Sequence, residues 1–140
     1  MRFLVAIDGS PPSGRAVEWA GRLLRGDSEA ELILLHCVPG MSGDLFVGPD
    51  AVDRFLEESE RLGRSILEAA ARRLPADGPR VQTVLRRGDP GRVIVAEAEE
   101  LRPDLVVLGR RGLGRLSSTL LGSVSAYVVQ HWRGPVLTVP

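Results

Sequence analysis

The sequence predicts a doubly wound α/β fold: one domain built on a five-stranded parallel sheet with helices on both faces. Three observations carry this. Short apolar runs recur at Arg2 to Ile7, Glu31 to Val38, Val81 to Leu85, Leu105 to Leu108 and Val136 to Val139, and all but the third lack the in–out alternation of a half-exposed strand. Between them lie stretches whose apolar residues fall at helical spacing. Glycines, prolines and capping residues mark each change from one pattern to the other. A β-α-β-α-β-α-β-α-β order with buried strands is that of a parallel sheet with crossover helices.

The first strand ends at Asp8-Gly9-Ser10, a turn, and Pro11, Pro12 and Ser13 lead into a helix. Its residues Ala16, Val17, Ala20, Leu23 and Leu24 form one stripe, with Arg15, Glu18 and Arg22 on the other side. The second strand, ELILLHCV, stops at Pro39-Gly40, and residues 40 to 49 read as a mobile loop over the strand ends. Asp50 is expected to cap a long helix reaching Leu74. Val52, Phe55, Leu56, Leu62, Ile66 and Ala70 give it an apolar face, and Glu57, Glu58, Glu60, Arg61 and Arg64 a solvated one.

Gln82 and Thr83 interrupt the third strand, which places it at a sheet edge. Gly88-Asp89-Pro90 then supplies a turn, an N-cap and a proline at the first helical position. Val93, Ile94, Ala98 and Leu101 are the buried stripe of that helix, and Pro103-Asp104 ends the connection to the fourth strand. The last helix runs from Ser123 to about Trp132, with Val124, Tyr127, Val128 and His131 along one side. Gly134-Pro135 hands the chain to the fifth strand.

At 140 residues and 44% hydrophobic, the chain is a single globular domain, 1–140, with a substantial core. Net charge is zero and the arginines are spread along the chain, so neither nucleic acid nor an anionic membrane is expected as a partner, while a specific acidic ligand stays open. All 18 basic residues are arginine, which excludes the lysine of a Walker A loop and a lysine Schiff base. The single cysteine, Cys37, excludes an internal disulfide and a multi-cysteine zinc site. The opening RFLVAID lacks the regions of a signal peptide and no apolar run reaches membrane-spanning length, so a soluble, cytoplasmic protein is expected.

The stretch from Val106 to Ser125 carries the strongest functional signal: a strand, glycines at 109, 112 and 114, then Gly122-Ser123 opening a helix. A helix start presents unpaired N–H groups and a positive dipole end, and glycine lets backbone approach a ligand, which together suit phosphate. The other reading is an ordinary strand-to-helix loop with a glycine N-cap. Ligands of doubly wound sheets sit beyond the carboxyl ends of the strands where strand order reverses, so Asp8 and Gly109 are expected to face one crevice. Asp8 also reads as a turn residue bonding its own backbone.

The spacing Gly109, Gly112, Gly122, Ser123 resembles the G-x2-G-x9-G-[S/T] motif of the universal stress protein family in its ATP-binding branch. The segments FLVAIDGS, LLHCV, RRGDP and HWRGPVLTVP extend the resemblance over essentially the whole chain. It implies sheet order 3-2-1-4-5, a Rossmann-like architecture related to the adenine-nucleotide α-hydrolases. Carried over by motif position, Ala6, Ile7 and Asp8 lie by adenosine, and Cys37 contacts adenine through its backbone. Leu108 and Gly109 line the nucleoside pocket, and Gly112, Gly122, Ser123 and Ser125, with Val124 between them, hold the triphosphate.

Arg111 stands at a variable motif position where an arginine can pair with phosphate, whereas Arg110 and Arg115 read equally well as solvated loop charges. The resemblance further implies ATP, with Mg²⁺ carried by the phosphates, and a homodimer through Val136, Leu137 and Val139. The implied function is a nucleotide-dependent stress-response or signalling dimer, at most a weak ATPase. The alternatives are a nucleotide-free scaffold or chaperone-like dimer, and an adenylating enzyme of the same fold, for which the chain leaves little room. No catalytic residue is assigned: His36 and Cys37 are adjacent on a strand and point to opposite faces, His131 sits by a helix end, and no nucleophile–base arrangement is evident.

Overall fold

Five strands and four helices alternate in the computed structural model, which describes residues 1–40, 48–111 and 121–140. They are β1 (Arg2–Ala6), α1 (Pro11–Leu23), β2 (Glu31–Val38), α2 (Pro49–Ala71), β3 (Arg80–Arg87), α3 (Pro90–Leu101), β4 (Leu105–Gly109), α4 (Ser123–His131) and β5 (Val136–Val139). The sheet is parallel throughout, in the order β3-β2-β1-β4-β5. β1 lies between β2 and β4, so the strand order reverses at β1 and β4, as the resemblance implies.

Successive strand residues point to opposite faces, and here both faces are covered, which is why the strands are apolar without alternation. Phe3, Val5, Leu32, Leu34, Val107 and Val139 meet Val17 and Ala20 of α1, Leu24 at its C-cap and Leu67 of α2 on one face. Leu4, Ile33, Leu35, Val106 and Leu108 meet Ile94, Ala98 and Val128 of α3 and α4 on the other.

Local chemistry starts the helices. Gly9 takes φ +82, a left-handed conformation that suits glycine, and turns the chain so that Ser10 caps α1 by accepting from the Ser13 N–H. Asp89 does the same for α3, accepting from the Arg92 N–H at 3.0 Å ahead of Pro90. β3 is an edge strand as expected, but it is longer than the apolar run, pairing with β2 from Arg80 to Arg87. Its arginine-bearing ends suit an edge exposed to water.

Three expectations are corrected. The N-cap of α2 is Gly48, not Asp50; Asp50 lies in the first turn, where its charge opposes the positive helix end. Phe55 and Leu62 are exposed, and the first buried residue of α2 is Gly63. The reason is length: α2 has 23 residues, about 34 Å at 1.5 Å each, while β2 has 8, about 26 Å, so the helix outruns the sheet it packs on. Leu23 is exposed as well, leaving Leu24 to continue the α1 stripe. The loop anticipated over the strand ends falls on 41–47, outside the described residues.

Candidate functional site

The crevice forms where β1 and β4 end side by side, with Ala6 opposite Leu108. Ile7 and Leu108 send their side chains into the cores of opposite faces, so they contribute backbone to the crevice floor. At Gly109 a Cβ would stand 2.9 Å from the Pro12 Cβ and 3.0 Å from the Ser13 nitrogen, too close for any side chain. Glycine there lets the end of β4 lie against the start of α1. One carboxylate oxygen of Asp8 accepts from the Ser10 N–H at 3.0 Å, the turn role, and the second makes no hydrogen bond among the described residues. Ala6, Ile7, Asp8, Leu108 and Gly109 are therefore brought together.

Cys37 stands above them for a reason of register. β1 pairs with β2 only as far as Ala6 and Leu35, whereas β3 follows β2 to Val38. The Leu35 carbonyl accepts from the Ile7 N–H at 2.9 Å, so Leu35 turns its backbone groups toward β1, and Cys37, two residues on, turns its own the same way. The next rung of the ladder is missing: the Ile7 carbonyl lies 2.8 Å from His36 Nδ1, and among the described residues Cys37 makes no backbone bond there. Its N–H and C=O thus point past the end of β1 into the crevice. The thiol points the other way, among the residues packed beneath α3, as expected of neighbours on a strand. Burial above all, then the charges of Glu97 and Asp89, push that thiol up to about 12, which keeps it protonated and unreactive.

On the far side, α4 begins without a side-chain cap. Its N-cap is Gly122, in extended backbone at φ −70, and the N–H groups of its first turn receive no side-chain acceptor, in contrast to α1 and α3. The Arg110 carbonyl fixes this helix start by accepting from the Gly122 N–H at 2.8 Å and from the Ser125 hydroxyl at 2.8 Å. Ser125 is 2% exposed and its hydroxyl also lies 3.0 Å from the Gly122 carbonyl, so its side chain is engaged with backbone. Arg110 in turn donates its N–H to Val139, tying the loop to β5. Its Nε is buried with no hydrogen-bond partner. Gly112, Gly114 and Arg115 lie outside the described residues.

Among the described residues no cluster of three or more His, Cys, Asp or Glu side chains is placed to hold a metal ion. No helix among them is long and apolar enough to cross a membrane. His131 stacks on Tyr127 with ring centroids 3.9 Å apart and its Nδ1 is 2.8 Å from the Tyr127 carbonyl, a structural role at a helix end.

The profile of the universal stress protein family matches residues 1–140, the full span of these elements. The chain belongs to the universal stress protein family. It is similar to universal stress protein YxiE of Bacillus subtilis, 34% identical over 145 residues, 99% of this chain and 97% of that one. A universal stress protein family protein of Arabidopsis thaliana, solved with AMP bound, is 26% identical with a TM-score of 0.72 over 99% of this chain and 90% of that one. A universal stress protein solved in complex with cAMP is 29% identical with a TM-score of 0.68, covering 99% of this chain and 95% of that one.

For this universal stress protein, sequence reasoning gave no role to His36 and divided Arg110 between two. The His36 ring lies on the Ile7 carbonyl, the group that would face the Cys37 N–H, and the Cys37 backbone has no hydrogen-bond partner among the described residues. The one hint in the sequence was its place in the strand immediately before Cys37.

Proposed function

We propose that this universal stress protein binds an adenine nucleotide in the β1–β4 crevice and that ATP is its physiological ligand. The observation that carries the reading is the Cys37 backbone, whose N–H and C=O lean past the end of β1 with no hydrogen-bond partner among the described residues. A donor and an acceptor side by side match the Watson–Crick edge of adenine, which offers an acceptor at N1 and a donor at N6. Asp8 follows β1 at the same end of the sheet, and the carboxylate oxygen that does not accept from Ser10 can accept from a ribose hydroxyl. The phosphates then reach the uncapped start of α4 at Gly122, Ser123 and Val124, where N–H groups and the helix dipole favour negative charge.

Arg111 and Arg110 are the charged groups of this end, and the buried, unpartnered Nε of Arg110 suits an anion. Ser125 acts by holding Arg110 and Gly122 in register. Mg²⁺ is carried by the phosphates and neutralises them. Nucleotide occupancy sets the conformation of a homodimer that signals to a downstream partner, with hydrolysis at most slow. The relatives solved with AMP and cAMP support an adenine ligand. The direct test is mass spectrometry of nucleotide released from the purified protein. Adenine nucleotide at near-stoichiometric amounts is expected, and protein that neither carries nor takes up ATP would favour the nucleotide-free scaffold.

A further inference from the structure

A second concavity lies on the α1–α2 face, apart from the crevice at the strand ends. It is a cleft of about 210 Å³ between the two helices, floored by Ile7, Val17, Ile66 and Ala70. Small residues build its walls: Gly9, Ser10, Ser13 and Gly14 on the α1 side, Ser65 and Ala69 on the other. A cavity of about 150 Å³ takes up benzene, so this one has room for about eight carbons.

The polar groups of the cleft are incompletely matched. Ser10 is 4% exposed; its hydroxyl oxygen accepts from the Ser13 N–H at 3.4 Å, and its own hydrogen has no acceptor among the described residues. Arg73, in the turn after α2, closes the end of the cleft at Gly14. Its guanidinium lies on the Gly14 backbone, where an added Cβ would stand 2.9 Å from Nη1 and 3.3 Å from Nη2. Nη1 pairs with Glu18 at 2.9 Å, while Nη2 makes no hydrogen bond among the described residues. One helical turn, about 5.4 Å, separates Ser10 from Gly14. A carboxylate making bonds of about 2.8 Å on both sides reaches across that gap.

From this polar end an apolar track leads outward. At 3.6 residues per turn, Phe55, Leu62, Ile66 and Ala69 fall within about 60° of one another round α2. The stripe lining the cleft therefore continues one turn beyond Ile66 to Leu62, and two turns further to Phe55. These two side chains are 56% and 47% exposed. A half-buried cation and a buried hydroxyl at one end, with exposed apolar side chains running from them, are complementary to a molecule with an acidic head and a hydrocarbon tail.

We infer that the α1–α2 cleft binds an unbranched aliphatic carboxylic acid of about eight to ten carbons, its head on Ser10 and Arg73 and its chain along Ile66 toward Leu62. This site is separate from the nucleotide crevice and does not depend on the nucleotide reading.

Isothermal titration with octanoate, decanoate, octanol and octylamine tests this. Affinity should rise by up to about fourfold for each added CH₂, and octanoate should bind about tenfold or more tighter than octanol, with octylamine weakest. Arg73→Gln should remove the advantage of octanoate over octanol. Ala69→Trp fills the cleft from an exposed position, so it should abolish binding of both acids with an unchanged circular dichroism spectrum. Should it lose the fold, Ala69→Leu is read in its place. Saturating ATP should leave octanoate binding as it was. No binding of decanoate at millimolar concentration, equal affinity for octanoate and octanol, or unchanged decanoate affinity in the Ala69 variant would overturn the site. Displacement of octanoate by ATP would place the acid in the crevice and overturn it as well.

Discussion

The hydroxyl of Ser125 donates to the carbonyl of Arg110 at 2.8 Å, joining the first turn of α4 to the residue that follows β4 across the glycine loop. Ser125 is buried and Arg110 half-buried, so the bond is largely shielded from water. Ser125→Ala should cost about 1 kcal/mol, as a lost neutral hydrogen bond, and lower the melting temperature by about 3 °C for a domain of this size. ATP affinity should fall with it, since the helix start loses its anchor. A calorimetric titration beside a thermal melt checks both, and a variant with lowered stability but unchanged affinity would separate Ser125 from the site.

Arg111 is expected to read phosphate. A charge-assisted contact contributes about 1.5 to 3 kcal/mol, so Arg111→Ala should weaken ATP more than adenosine by about tenfold or more. Arg110→Ala should act in the same direction, because the buried Nε of Arg110 has no other partner. Equal losses for ATP and adenosine in titrations of both ligands would show that neither arginine senses charge.

Much of this was legible in the chain. Unbroken apolar runs such as ELILLHCV can only be strands covered on both faces, and Asp89-Pro90 marks a helix start to the residue. What misled was an assumption that an apolar stripe is buried along its whole length. Phe55 and Leu62 lie on the part of α2 that outruns the sheet, and the register of a helix against a strand end is a tertiary fact. Leu23 failed differently, since α1 lies near an edge and has an uncovered flank. In the site, the glycine spacing located the start of α4, but the free Cys37 backbone depends on β1 stopping three residues short of the end of β2. No local pattern encodes where a neighbouring strand stops.

Glu97 drew no notice in the sequence, since a glutamate between alanines carries no pattern of burial. It is 8% exposed and paired with Arg86 of β3 through both carboxylate oxygens. Arg86→Met should cost about 1 to 3 kcal/mol, since a buried carboxylate is left without its partner and the half-exposed arginine moderates the loss. The double variant with Glu97→Leu should recover most of it. Urea unfolding of the single and double variants measures this, and a double variant no more stable than Arg86→Met would show that the pair is not coupled.

Cys37 should resist alkylation. Its thiol is raised from 9.0 to about 12 by burial and by Glu97 and Asp89, so it stays neutral where an ordinary cysteine ionises. The sign for stability follows. Below pH 9 both folded and unfolded thiols are protonated, and between 9.0 and about 12 only the unfolded one releases its proton, so this residue lowers stability as pH rises through that window. Iodoacetamide labelling of native and urea-unfolded protein at pH 8 to 10 tests it. Equal rates in the two states would contradict the burial of the thiol.

The nucleotide site itself is tested most directly at Gly122. Its φ of −70 is available to any residue, so Gly122→Val can keep the fold while placing a branched side chain where backbone must approach phosphate. Isothermal titration with ATP, beside circular dichroism, should show binding by the wild type and its loss by Gly122→Val with an unchanged spectrum. Equal ATP affinity in the two folded proteins, or no binding by a wild type shown to be free of nucleotide, would contradict an adenine nucleotide held between β1, β4 and the start of α4.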